Sequence, residues 1–175
     1  MYLEKGNLKI RDATKSDATI LCEWWNDGKV MSHAGFPKGL CTSKEKVLKL
    51  LEQCHAQKRL LMIEFNDVAI GEMNFKNKTE DTAEIGIKIC DLSQQNRGVG
   101  TDSLKMLISH LFTVMGYNRI VLDTNLKNKR AQHVYEKLGF SKISIHENSW
   151  QDQLGTWQSS VDYQLNKAEF KQTFP

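Results

Sequence analysis

The sequence predicts an α/β fold, strands with helices packed on them, and three observations carry that expectation. Ala83, Ile85, Ile87 and Ile89 alternate with Glu84, Gly86, Lys88 and Cys90, the two-residue period of a strand. Leu104, Leu107, Ile108, Leu111, Phe112 and Met115 fall at the three- and four-residue steps of a helix face, and Gly116 follows where a helix-terminating glycine belongs. Between the two runs lies Gln95-Asn96-Arg97-Gly98-Val99-Gly100-Thr101, a glycine loop joining a strand end to a helix N-terminus.

The remaining elements follow in order. Residues 8–13 alternate as a first strand. Ser16 is placed to N-cap a helix with Asp17 in its first turn, carrying Ile20, Leu21, Trp24 and Trp25, and Asn26-Asp27-Gly28 stops it. Residues 31–41, with Gly35, Pro37 and Gly39, form a loop in which His33 is read as facing solvent. Thr42 and Glu45 make a capping box before a second helix containing Val47, Leu48, Leu51 and Cys54. Residues 60–65 and 68–75 form a hairpin around Asn66-Asp67, and the polar residues 76–82 close a second hairpin into the strand before the glycine loop. After the long helix come a strand over 119–124 and a helix bearing Tyr135. Strands over 141–146 and 156–164, connected by 148–155, complete a count of about seven strands and four helices.

Composition narrows the function. A chain of 175 residues suits one domain, with its core over about 8–165 and a tail over 166–175. The net charge of +3 is carried by scattered basic residues, without the Lys/Arg stripe and interleaved aromatics of a nucleic-acid groove. Cys22, Cys41, Cys54 and Cys90 form no Cys-x-x-Cys pair, and no leader peptide is read, so reduced thiols in a cytoplasm are expected rather than disulfides or a metal site. No apolar run approaches membrane-spanning length.

The glycine loop supplies the first chemistry. Unpaired N–H groups at a helix N-terminus, with about half a positive charge of helix dipole, attract an anion, and Gly98 and Gly100 let it approach the backbone. Arg97 is expected to add a fixed charge at the mouth. No Lys-Ser or Lys-Thr follows the glycines, which excludes an ATP-type phosphate loop, and Ser103 stands where a dinucleotide fingerprint needs its third glycine.

What remains, Gln/Arg-x-x-Gly-x-Gly/Ala from Gln95 to Gly100, resembles the pyrophosphate loop of the GCN5-related N-acetyltransferases (GNAT), which bind acetyl-CoA. A second segment, Asn128-Lys129-Arg130-Ala131 followed by Tyr135-Glu136-Lys137-Leu138-Gly139-Phe140, resembles the other half of the same cofactor site, in the family's order and spacing. Trp24-Trp25-Asn26-Asp27 is similar to a segment of the ribosomal-protein-alanine N-acetyltransferase and aminoglycoside acetyltransferase branches, and Ala83-Glu84-Ile85-Gly86 to one of the ribosomal-protein branch. The resemblance covers about residues 8–165. It implies a mixed, mostly antiparallel twisted sheet whose central strands splay apart to form the acetyl-CoA cleft.

The resemblance also assigns roles. Gln95, Asn96, Arg97, Gly98, Val99, Gly100 and Thr101 hold the pyrophosphate. Backbone N–H groups around Ile87 and Ile89, freed by a bulge for which Gly86 is a candidate, meet the thioester and pantetheine arm. Asn128 and Ala131 contact the cofactor from the second helix. Tyr135, seven residues beyond Asn128 and so on the same helix face, donates a proton to the departing thiolate; the competing role is that of a half-buried packing residue. Glu84 is the candidate base, with Glu72 sharing the role or binding a cationic acceptor; the bland alternative leaves both as solvated strand-face carboxylates. Trp24 is a candidate acceptor contact, and core packing accounts for at least one ring of the Trp pair.

The expected reaction is direct attack of a primary amine on acetyl-CoA in a ternary complex. The acceptor is a protein or peptide N-terminus or a small amino compound, because residues 31–41 carry no acidic side chain for a polycation. Polyamine and aminoglycoside acetylation are the alternatives within the class, and a non-catalytic acyl-CoA sensor is the alternative outside it. A homodimer is a further expectation from the resemblance, and no metal is called for.

Overall fold

A computed structural model describes residues 1–173, and these build an eight-stranded sheet with helices on both faces. The strands are β1 (Tyr2–Lys5), β2 (Leu8–Asp12), β3 (Lys58–Phe65), β4 (Val68–Asn77), β5 (Thr82–Ile89), β6 (Arg119–Asn125), β7 (Ser141–Gln151) and β8 (Trp157–Asn166). They lie in the order β1-β2-β3-β4-β5-β6-β8-β7, antiparallel at every junction except β5–β6. The helices are α1 (Ala18–Asn26), α2 (Gly28–Met31), α3 (Lys44–Glu52), α4 (Val99–Thr113), α5 (Lys129–Lys137) and α6 (Lys167–Thr173).

Local chemistry explains most boundaries. Asn66 and Asp67, at φ +52° and +63°, both adopt the left-handed conformation that a two-residue hairpin turn between β3 and β4 demands. At the end of α4, Gly116 takes φ +83°, and the turn lets the Tyr117 N–H reach the Leu111 carbonyl at 3.1 Å. Two expected caps move by one or two residues. Thr14, not Ser16, opens the first helical turn, with the Asp17 carboxylate accepting from the Thr14 N–H at 2.7 Å, because Asp17 is also held by Arg11. Ser43, not Thr42, caps α3, because the Thr42 backbone is already clamped by the Asn26 side chain.

The structure adds β1, the one-turn helix α2 and the tail helix α6 to the expected elements. It also lengthens β7 to Gln151, five residues beyond the expected strand end. The expected tail docks through Phe170, whose ring centroid is 5.6 Å from that of Phe112 in α4; Phe174 and Pro175 lie outside the described residues.

Each face of the sheet has its own core. On one, Met73, Phe75, Ala83, Ile85, Ile120, Leu122, Val161 and Tyr163 pack against α4 and α5. On the other, Leu60 and Met62 pack against Ala18, Leu21 and Trp25 of α1, Met31 of α2 and Val47 of α3. Strand alternation turns Glu72, Asn74 and Lys76 of β4, and their partners Lys88, Gly86 and Glu84 of β5, to this second face. Burying these apolar side chains at about 1.5–3 kcal/mol each is what holds both helix layers to the sheet.

Candidate active site

The parallel pair at the middle of the sheet determines the site. β5 and β6 are in register only over Thr82–Arg119, Ala83–Ile120 and Glu84–Val121, and beyond that they diverge. The gap opens into a cleft of about 990 Å³. Its walls are Gly86, Ile87, Lys88 and Ile89 on β5, Asp123, Thr124 and Asn125 on β6, the glycine loop with Thr101, and Asn128, Arg130, Ala131 and Tyr135 at α5.

The backbone along the β5 wall is exposed by divergence, not by a bulge. The β4–β5 ladder runs without a break from Gly71–Ile89 to Asn77–Ala83, so Gly86 is not a bulge; its missing Cβ instead makes room for the Asn74 amide, 2.9 Å from where a Cβ would stand. The Cys90 N–H bonds across to the Ile70 carbonyl, and the alternation of an antiparallel ladder then turns the Ile87 and Ile89 N–H groups to the opposite edge, toward the gap.

The glycine loop crosses the mouth. Gly98 caps α4 at φ +84° with no side chain capping it, so the first N–H groups of the helix face the cleft; nothing lies within 4 Å of where a Gly98 Cβ would be. Gly100 rests on Ile89. Gln95 ties the loop in place: its Nε2 donates to the Ile89 carbonyl at 3.0 Å and its Oε1 accepts from Arg130 Nη1 at 2.6 Å. Asn96 and Thr101 line the cleft, whereas the Val99 side chain is buried in the core. Asn128 caps α5, its Oδ1 accepting from the Ala131 N–H at 3.2 Å.

Tyr135 stands at the inner end of this wall, 6 % exposed, with its ring edge-on to Tyr163 (centroids 5.6 Å apart) and tilted against Phe140. Burial, aided by the negative charge of Asp123, pushes its phenol up to about 12. It therefore stays protonated at neutral pH.

A roof crosses the opposite side. The Gln153 N–H donates to the Gly35 carbonyl at 2.8 Å, its Nε2 donates to the Gly39 carbonyl at 2.9 Å, and its Oε1 accepts from the Lys38 N–H at 2.9 Å. Trp150 lies so close over Gly35 that a Cβ there would stand 2.4 Å from the indole. This clamp brings Lys29, Val30, His33 and Ala34 over the cleft together with Trp150.

Four expected site residues are placed elsewhere. Trp24 is half-buried in the core between α1 and the sheet, and its neighbour Trp25 is the ring engaged with a carboxylate, donating from Nε1 to Glu72 at 3.0 Å. Glu72 is 2 % exposed and also meets Lys88 Nζ at 3.0 Å, so it is a tethered interior carboxylate. Glu84 lies where β5 and β6 are still paired, held by Lys76 at 2.9 Å and Lys78 at 3.5 Å, outside the cleft lining. Arg97 turns outward to Gln94 and a smaller hollow beside Phe65; the guanidinium at the cleft is that of Arg130.

Asp123, Lys88, Arg130 and Trp150 line the cleft without an assigned role in the sequence. Arg130 stands inside the Asn128–Ala131 segment, and Asp123 directly follows the apolar run Ile120–Leu122; both are signals a sequence carries.

A mixed sheet split at its one parallel junction, with an uncapped helix N-terminus at the opening, is the geometry of this cleft. Residues 7–141 match the family model of the acetyltransferase (GNAT) domain, and the chain belongs to that family of acetyltransferases. Among curated proteins it is 24% identical over 154 residues to an uncharacterised N-acetyltransferase, p20, of Bacillus licheniformis, covering 83% of this chain and 84% of that one. It is 34% identical over 80 residues to an N-acetyltransferase 9-like protein of Nematostella vectensis, covering 44% of this chain and 40% of the relative. Among solved structures, a spermidine N-acetyltransferase from Vibrio cholerae in complex with CoA and spermine superposes with a TM-score of 0.85 at 18% identity, covering 95% of this chain and 99% of that one. A ribosomal L7/L12 alpha-N-protein acetyltransferase in complex with coenzyme A gives 0.84 at 18%, covering 95% and 98%. No helix among the described residues is long and apolar enough to cross a membrane.

Proposed function

We propose that the protein transfers an acetyl group from acetyl-CoA to a primary amine, in a ternary complex within the cleft between β5 and β6. The observation that carries the reading is the joint opening of three features into one cavity: the uncapped α4 N-terminus, the β5 edge at Ile87 and Ile89, and Tyr135. The fit to the cofactor is supported by the open approach at Gly98 and by a neighbouring guanidinium at Arg130. The N–H groups of Val99, Gly100 and Thr101, with Arg130, would hold the pyrophosphate. The freed edge of β5 would receive the pantetheine arm as an added strand, and the Ile87 and Ile89 amides would polarise the carbonyl. Acetyl-CoA supplies the activated thioester.

Tyr135 acts as the proton donor to sulfur. A thiol near 8.5 faces a phenol near 12, so even transfer to the departed thiolate is uphill by about 5 kcal/mol. The hydroxyl therefore works as a hydrogen-bond donor whose proton moves late, as the sulfur leaves. The acceptor class is a protein or peptide N-terminus or a small amino compound, and the setting is cytoplasmic.

Calorimetric titration with acetyl-CoA, with ATP and NAD as controls, tests the reading. Selective micromolar binding is expected. Binding of none of the three, or of all equally, would reduce the glycine loop to an ordinary turn.

A further inference from the structure

The reaction needs a group that takes a proton from the acceptor, since an ordinary amine with a pKa near 10 arrives as an ammonium ion. Glu84 is neutralised by two lysines away from the cleft, and Glu72 is buried against Trp25 and Lys88. Among the described residues that line the cleft there is one carboxylate, Asp123.

Its placement follows from the topology. β6 pairs with β5 as far as Val121, so Asp123, the next residue on the same face, is the first to project beside the gap. That face is the one covered by α1–α3 and opposite α4 and α5, so a molecule entering under the roof of Lys29, His33 and Trp150 meets Asp123 before it meets the gap. The carboxylate makes no hydrogen bond or ion pair with any described residue, unlike Glu72 and Glu84.

We infer that Asp123 receives the ammonium group of the acceptor and removes its proton; this assignment rests on the acetyl-transfer reading above. The ammonium gives one proton to the Asp123 carboxylate. The freed nitrogen lone pair forms the C–N bond to the acetyl carbon, and the C–S bond breaks with its electron pair leaving on sulfur. Sulfur takes the Tyr135 proton, the phenolate regains one from the nitrogen, and Asp123 releases its proton to solvent. One ammonium ion, one acetyl-CoA and no other reactant give the amide, the free thiol and one proton.

The electrostatic surroundings agree. Partial desolvation, then Asp162 of β8 and Glu84 of β5, hold the Asp123 carboxyl above its usual range, opposed by Lys78 and Lys76. Asp162 is itself paired with His146 of β7 at 2.9 Å, and Tyr135 of α5, Lys88 of β5 and the roof groups Lys29 and His33 face the same cleft. A carboxylate with a raised proton affinity and no partner is a better base than one tied to lysines. Its ionised form also costs the fold stability at neutral pH, because the folded pKa lies above the unfolded one. That penalty is present above the folded pKa and disappears below the unfolded value.

The test compares the parent with Asp123→Asn and Asp123→Glu, using spermidine and a serine-initiated peptide as probe amines and following thiol release. Asp123→Asn is expected to lose at least about 100-fold in turnover at pH 7 while keeping its acetyl-CoA affinity. Turnover should recover in part near pH 10, where the amine is already uncharged, and Asp123→Glu should restore part of it at pH 7. Independently of activity, Asp123→Asn should melt at or above the parent temperature at pH 7 and lose that advantage at pH 3. A parent that turns over and an Asp123→Asn variant within threefold of it would overturn Asp123 alone. A parent that does not bind acetyl-CoA would overturn the acetyl-transfer reading and this assignment with it.

Discussion

The two halves of the β5–β6 junction are built from the same pair of strands and end in opposite chemical states. In the half where the strands pair, polar groups are matched: Glu84 meets Lys76 and Lys78, and the backbone groups belong to a ladder. In the half where they diverge, the Ile87 and Ile89 N–H groups, the first N–H groups of α4 and the Asp123 carboxylate bond to no described residue, and all face one cleft. Groups that face an open cleft are satisfied by water and stay available to a ligand, whereas groups matched inside the sheet are not. Position along a strand, more than residue type, thus separates a paired carboxylate from an unpaired one.

The largest effects should come from the diverging half. Tyr135→Phe is expected to lower turnover by about 100-fold with acetyl-CoA affinity unchanged, read by steady-state kinetics beside calorimetry; loss of affinity instead would make Tyr135 a packing residue. Next, Arg130→Ala should weaken acetyl-CoA binding by about tenfold, through both the lost charge and the freed Gln95. Arg97→Ala should change it by less than threefold, and the reverse order would mean that Arg97 swings to the ligand. Trp25→Phe, on α1, should cost about 1–3 kcal/mol in denaturant unfolding, because it strips a donor from buried Glu72, with little effect on acetyl-CoA affinity. The smallest effect belongs to Glu84→Gln. It breaks pairs to partly exposed lysines, so stability should fall by no more than about 1 kcal/mol and turnover by less than threefold. A large loss of turnover there would restore Glu84 as the base and erase the contrast between the halves.

Much of this was legible in the sequence. The periods of β5 and α4, the glycine loop between them, the Asn66-Asp67 turn and the segment from Asn128 to Phe140 are local patterns, and each sits where local chemistry puts it. The strand β1 was not legible, because four mostly exposed residues next to Gly6 and Asn7 carry no apolar alternation to detect. Nor was the fate of the carboxylates. Glu84 and Asp123 both stand on strands and both face the same side of the sheet; which one is neutralised depends on where β5 and β6 part, a fact of tertiary register that no local window contains. The outward turn of Arg97 is of the same kind, since the φ of +61° at Asn96 and +84° at Gly98 steer the loop between them.

The most direct test of the central claim is a crystal structure of the protein with acetyl-CoA. The account predicts the pantetheine arm lying along β5 at Ile87 and Ile89, the pyrophosphate over Val99 to Thr101, and the thioester at the gap between Tyr135 and Asp123. Cofactor bound outside the cleft, or a thioester delivered to the paired half beside Glu84, would contradict it.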